Sequence, residues 1–116
     1  MEFNANRVDD ANAVITSTIS AEVIDLRVLN PLDSSAIIKS VKKTGRLLVI
    51  DGGWKNCGMA GEVIATIVEH LDSHHFKSSP QRITLPDSPA PTSRKLENIY
   101  YPNLDKVINI ARSILQ

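Results

Sequence analysis

The sequence predicts an α/β domain built on a small, mostly parallel sheet, and three observations carry that reading. Leu47-Leu48-Val49-Ile50 is an uninterrupted apolar run, as expected of a strand buried on both faces of a parallel sheet. Ala60, Val63, Ile64, Ile67, Val68 and Leu71 then fall on one stripe of an amphipathic helix, with Glu62, Thr66, Glu69 and His70 off it. Between the two lies a glycine-bearing turn, Asp51 to Gly58. Strand, turn and helix make half of a βαβ unit, and in such sheets function gathers at the turn after the strand's carboxyl end. The Asp51–Gly58 loop is therefore where a site is expected first.

Composition limits the function classes. A chain of 116 residues holds one domain and one modest core. Thirteen basic residues balance thirteen acidic ones, which argues against nucleic acid or a membrane surface held by bulk charge. A single cysteine excludes an internal disulfide and a multi-cysteine metal site. No apolar run approaches the roughly 18 residues of a membrane span, no signal peptide is visible, and the chain is expected to lie inside the cell.

Taken in order, Met1 to Arg7 is polar and patternless, and Glu-Phe directly after Met is what an in-frame EcoRI site encodes. Residues 1–7 are thus expected to be cloning-derived or disordered, and residues 8–116 to be a domain cut from a longer protein. Val8 to Ser20 is expected to be a helix, although Val14-Ile15-Thr16 is β-branched and suits a strand as well. Ala21 to Leu29 alternates, with Ile24, Leu26 and Val28 on one face, which predicts a strand. Asn30-Pro31 ends it.

Asp33 or Ser34 caps a short helix, Ile37, Ile38 and Val41 face inward, Lys42 and Lys43 oppose the dipole's negative end, and Gly45 stops it. After the central strand and helix comes a polar connector, Asp72 to Ser79, then a short strand, Gln81 to Leu85. Pro86 to Pro102 is expected to be a long loop, the kind of segment that often binds. Asn103 caps a last helix whose stripe is Leu104, Val107, Ile108, Ala111, Ile114 and Leu115. The order βαβαβα predicts right-handed crossovers and a parallel sheet covered on both faces. The alternating stretch around 22–28 is expected to pair directly with the strand around 46–50, leaving a free edge.

Chemistry is sparse. Cys57 stands just before a helix N-terminus, a place that suits a nucleophilic thiol, yet His70, His74 and His75 lie a helix away. His74-His75 could bind a metal but lacks a third ligand in register, so solvated side chains are the plainer reading. Gly52, Gly53, Gly58 and Gly61 match neither GxGxxG nor a P-loop. Gly61 inside a helix costs about 1 kcal/mol against alanine, which implies close approach by another backbone. Trp54 is either a lid over the sheet end or an interface anchor. No carboxylate pair or triad emerges, so the residues favour a binding or assembly domain over a complete enzyme. A free-standing flavodoxin-like or nucleotide-binding domain and a small thiol enzyme using Cys57 remain the alternatives.

Four blocks in order, EVIDLRVLNPLD (Glu22–Asp33), SVKKTGRLLVIDGGW (Ser40–Trp54), GMAGEVIATIVE (Gly58–Glu69) and LPDSPAPTSRKLENIYYPNLDKVINIA (Leu85–Ala111), resemble one family. It is the C-terminal domain of the beta subunit of thiamine-diphosphate-dependent 2-oxo acid dehydrogenases, of the pyruvate and branched-chain type, within the transketolase C-terminal domain superfamily. The resemblance implies a three-layer α/β/α sandwich, truncated on its N-terminal side because the family's first two strands precede Ala21. It implies a parent oxidoreductase of a multienzyme complex that decarboxylates a 2-oxo acid on thiamine diphosphate with Mg and transfers the acyl group to a lipoyl arm.

No catalytic, cofactor-binding or metal-binding residue carries over to this segment, which is expected to be inactive alone. The implied partners are a second beta subunit, the alpha subunit and the subunit-binding domain of the lipoyl acyltransferase. Asp51, Gly52, Trp54, Cys57, Gly58 and Gly61 would face subunit contacts, and Asn103, Asp105, Arg112 and Gln116 would lie nearest the acyltransferase. The implied location is the bacterial cytoplasm or, in a eukaryote, the mitochondrial matrix.

Overall fold

A computed structural model describes residues 2–4 and 18–116. The elements are β1 (Glu2–Asn4), β2 (Thr18–Ser20), α1 (Ser34–Thr44), β3 (Leu48–Trp54), α2 (Met59–His70), a 3-10 turn (Ser73–His75), β4 (Gln81–Leu85), α3 (Arg94–Tyr100) and α4 (Leu104–Ser113). β3 and β4 pair in parallel, and β1 and β2 form a separate antiparallel ribbon. The α/β class and the small parallel sheet are as expected.

The helix boundaries follow from local chemistry. Asp33 caps α1 by accepting the Ala36 amide, and Gly45 ends it at φ 73°, its own amide returning to Val41 O. That left-handed turn is one a side chain resists. Asn103 caps α4 by accepting the Lys106 amide at 2.9 Å. Ile37 and Val41 of α1, Val49 of β3, and Ala60, Val63 and Ile67 of α2 pack with Leu71 into one buried cluster. Leu26, Leu32, Ile38, Leu47, Met59, Ile64 and Phe76 pack around it. The guanidinium of Arg46 donates to Ile114 O at 2.6 Å and ties the end of α4 to the start of the sheet.

Several expectations need correction. Ala21 to Leu29 forms no strand, and among the described residues β3 pairs only with β4. Alternation supplies an apolar face but not a partner backbone. Here Leu26 leans on the core while Glu22 reaches Lys43 of α1 by an ion pair. Thr18–Ser20, placed in a helix by the sequence, is β2, consistent with its β-branched Thr18 and Ile19; the rest of that expected helix, with Val14-Ile15-Thr16, lies outside the described residues. Glu2–Asn4, read as patternless, pairs with β2.

The central strand is not buried on both faces. Val49 is buried, but Ile50 on the opposite side is 53% exposed, and Val68 on the expected α2 stripe is 48% exposed. Finally, the expected loop from Pro86 to Pro102 contains α3, a proline-free run of good helix formers between Pro91 and Pro102.

Candidate functional site

The loop after β3 is built on a bulge. β3 keeps register with β4 from Leu48 opposite Gln81 to Ile50 opposite Ile83, and the next pair is Trp54 opposite Leu85. Asp51-Gly52-Gly53 therefore does not stop the strand, as the sequence implied. It swells out of the ladder while the strand continues to Trp54.

Asp51 organises both the bulge and the start of α2. Its Oδ1 accepts the Gly53 amide at 2.8 Å and its Oδ2 accepts the Ala60 amide at 2.9 Å. One carboxylate thus closes the bulge and caps the first turn of α2, whose N-cap residue, Gly58, has no side chain to do so. Gly58 lies against the turn so closely that a Cβ there would sit 2.0 Å from Trp54 O. Cys57, just before it, takes φ 56° and is exposed.

Four further bonds fasten the loop to its surroundings. The Trp54 indole N–H donates to the Tyr100 hydroxyl at 3.2 Å, and that hydroxyl donates to Ser88 O at 2.7 Å. Asn56 donates to the Asp87 carboxylate at 2.9 Å, and Arg82 of β4 donates to Lys55 O at 3.0 Å. Tyr100 is buried, while Trp54 stays 54% exposed. The indole is held at its N–H edge and stays about half open to solvent.

The residues expected at subunit contacts divide accordingly. Gly52, Trp54 and Cys57 are exposed at the loop's surface, whereas Asp51 and Gly58 are half-buried and engaged within the loop. Gly61 is also half-buried, but the group nearest to a Cβ there is the Arg82 guanidinium at 3.3 Å, a side chain rather than the backbone the sequence implied. Of the residues expected near the acyltransferase, Asn103 and Asp105 share one shallow depression with Glu97, Tyr101 and Leu104. Arg112 and Gln116 stand at the other end of α4, about 15 Å away along the helix, and all four are exposed.

The sequence missed Tyr100 as the loop's anchor. The only signal available was a Tyr-Tyr pair in an aromatic-poor chain. As for a thiol enzyme, Cys57 precedes α2 and the three histidines follow from its last turn onward, about 18 Å along the helix axis, so none serves it as a base.

A two-stranded parallel sheet joined through a helix, with a bulged and capped loop at its carboxyl end, defines a small α/β module. The family described as transketolase, C-terminal domain, matches residues 8–107, and the chain belongs to it.

Among curated proteins, the chain is 34% identical over 97 residues to the mitochondrial pyruvate dehydrogenase E1 component subunit beta of Saccharomyces cerevisiae, covering 84% of this chain and 26% of that protein. It is 39% identical over 107 residues to the corresponding subunit of Rickettsia bellii, covering 92% and 33%. It is 38% identical over 98 residues to the acetoin:2,6-dichlorophenolindophenol oxidoreductase subunit beta of Bacillus subtilis, covering 84% and 28%. The chain therefore spans about a quarter to a third of the length of these relatives.

Proposed function

We propose that this chain is the C-terminal assembly domain of a 2-oxo acid dehydrogenase beta subunit. Its parent would carry out oxidative decarboxylation of pyruvate or a branched-chain 2-oxo acid, with acyl transfer to lipoyl groups. The observation that carries the assembly role is Trp54, a large aromatic ring fixed by Tyr100 yet half open to solvent on the loop after β3. A pre-ordered indole loses little entropy on docking, which is why such residues anchor interfaces. In this reading the face carrying Gly52, Trp54 and Cys57 meets a second beta subunit. The exposed residues of α4 from Asn103 onward meet the acyltransferase, and the alpha subunit completes the enzyme.

Thiamine diphosphate does not fit this segment. The amides of Gly53 and Ala60 at the loop that would have to cradle a pyrophosphate are already bonded to the Asp51 carboxylate, whose negative charge also repels phosphate. The same fact weighs against a flavodoxin-like or nucleotide-binding role. In this proposal the cofactor and its Mg are held elsewhere in the parent enzyme.

Sedimentation equilibrium of the chain against Trp54→Ala tests the interface. Self-association weakened about tenfold or more in the variant is expected. Unchanged association, or a wild-type chain that stays monomeric at every concentration, overturns it. Calorimetry with thiamine diphosphate and Mg²⁺ should show no saturable binding to the chain; saturable binding overturns the second part.

A further inference from the structure

We infer that the turn between α2 and β4 is a binding site for a divalent transition-metal ion, with Asp72, His74 and His75 as its ligands. The sequence offered two adjacent histidines without a third ligand. The 3-10 turn supplies one by folding Asp72 back beside them. One potential ligand atom from each of the three side chains lies within 4.8 Å of the others. The Asp72 carboxylate is 3.9 Å from His74 Nδ1. The two imidazole rings stand 4.0 Å apart at 38° to each other, tilted rather than stacked.

His75 Nδ1 and the Ser78 hydroxyl of the same connector are shut off from water and have no hydrogen-bond partner among the described residues. With Nδ1 enclosed, Nε2 is the His75 nitrogen left to meet an ion.

The turn is also held in place from both sides. Leu71 is buried before it, Phe76 packs on the core after it, and the Lys77 amide donates to Gly45 O at 2.8 Å. Bonds from the His75 amide to Asp72 O and from the Phe76 amide to Ser73 O close the turn. Only side-chain rotation is left for binding. Ligands about 2.1 Å from a tetrahedral ion sit about 3.4 Å from one another. The exposed Asp72 and His74, at 82% and 70% side-chain exposure, have room to close that distance. Two imidazoles and one carboxylate suit Zn²⁺, with water in the remaining position. The ion would staple the end of α2 to the connector that leads into β4.

The test is calorimetric titration of untagged chain with ZnCl₂ in the Cys57→Ser background, which removes the thiol as a competing ligand. One saturable site is expected, weakened about tenfold or more by His74→Ala and by His75→Ala, weakened by Asp72→Asn, and unchanged by His70→Ala. Circular dichroism verifies that each variant is folded, and the exposed His74 makes its variant the safest in that respect. A second readout is the histidine ¹⁵N spectrum, where Zn²⁺ should shift the ring nitrogens of His74 and His75 and leave His70 in place. No saturable binding, equal affinity in the His74→Ala/His75→Ala double variant, or shifts at His70 instead would overturn the site.

Discussion

Asp51 and Ala60 are joined across the β3–α2 loop, the Asp51 Oδ2 accepting the Ala60 amide at 2.9 Å while its Oδ1 holds Gly53. The helix is capped from the strand before it rather than from its own first residue. Asp51→Ala should therefore loosen the bulge and fray α2 together, costing about 2–4 kcal/mol for two charge-assisted bonds. Asp51→Asn keeps one acceptor and should cost about half as much. Urea unfolding checks both; a loss under about 0.5 kcal/mol for the alanine variant would mean that the loop stands without its carboxylate.

The two glycines of the α2 N-terminus should part company on substitution. At Gly58 a Cβ would meet the Trp54 carbonyl at 2.0 Å, a backbone atom that cannot step aside, so Gly58→Ala should cost about 1–3 kcal/mol. At Gly61 the obstacle is the tip of Arg82 at 3.3 Å, which can swing away. Gly61→Ala should stabilise by about 0.5–1 kcal/mol through helix propensity. Thermal melts of the pair would show opposite signs; a shared sign contradicts this packing.

Neighbouring aliphatics on α2 should likewise differ. Ile67 is fully buried and Val68 is 48% exposed. Ile67→Ala is expected to cost about 2–5 kcal/mol, whereas Val68→Ala should stay within about 0.5 kcal/mol. Similar losses in denaturant would place the helix on the wrong face.

The bond from Lys43 to Glu22, helped by Ser40, holds the Glu22 carboxyl below the ordinary glutamate value. A depressed carboxylate stabilises the fold above its unfolded value and loses that contribution as pH falls through the folded one. The pair is exposed, so the effect is small and weakened by salt. Glu22→Gln should lower stability slightly at neutral pH and low ionic strength and leave the acid end unchanged, so that the acid limb flattens. An identical acid limb in the variant would show that the pair is broken in solution.

What the sequence made legible was local. Asp33, Gly45 and Asn103 mark helix ends because their chemistry acts within one turn, and the α2 stripe located the core because spacing alone sets which face is apolar. Residues 21–29 misled for the complementary reason: alternation reports spacing but says nothing about whether a second backbone is present. Asp51 as a cap was hidden because the bulge bends a strand residue onto a helix that begins several positions later. The Trp54–Tyr100–Ser88 relay and the Asp72–His74–His75 cluster depend on how the loops fold back, which no periodicity encodes.

The unpaired stretch from Ala21 to Leu29 also sets where the chain is vulnerable. Its amides are not committed to any sheet ladder, and the side chain of Arg27 is 85% exposed. Proteases need an extended, uncommitted segment in their cleft, so trypsin should nick after Arg27 before it touches the α1–β3–α2–β4 core. The remainder from Val28 onward would keep the whole Ile37–Leu71 cluster and lose the β1–β2 ribbon, the lean of Leu26 and the Glu22–Lys43 pair. The domain would then behave as a hard kernel with a detachable leading strap, degraded from its front rather than melted as a unit.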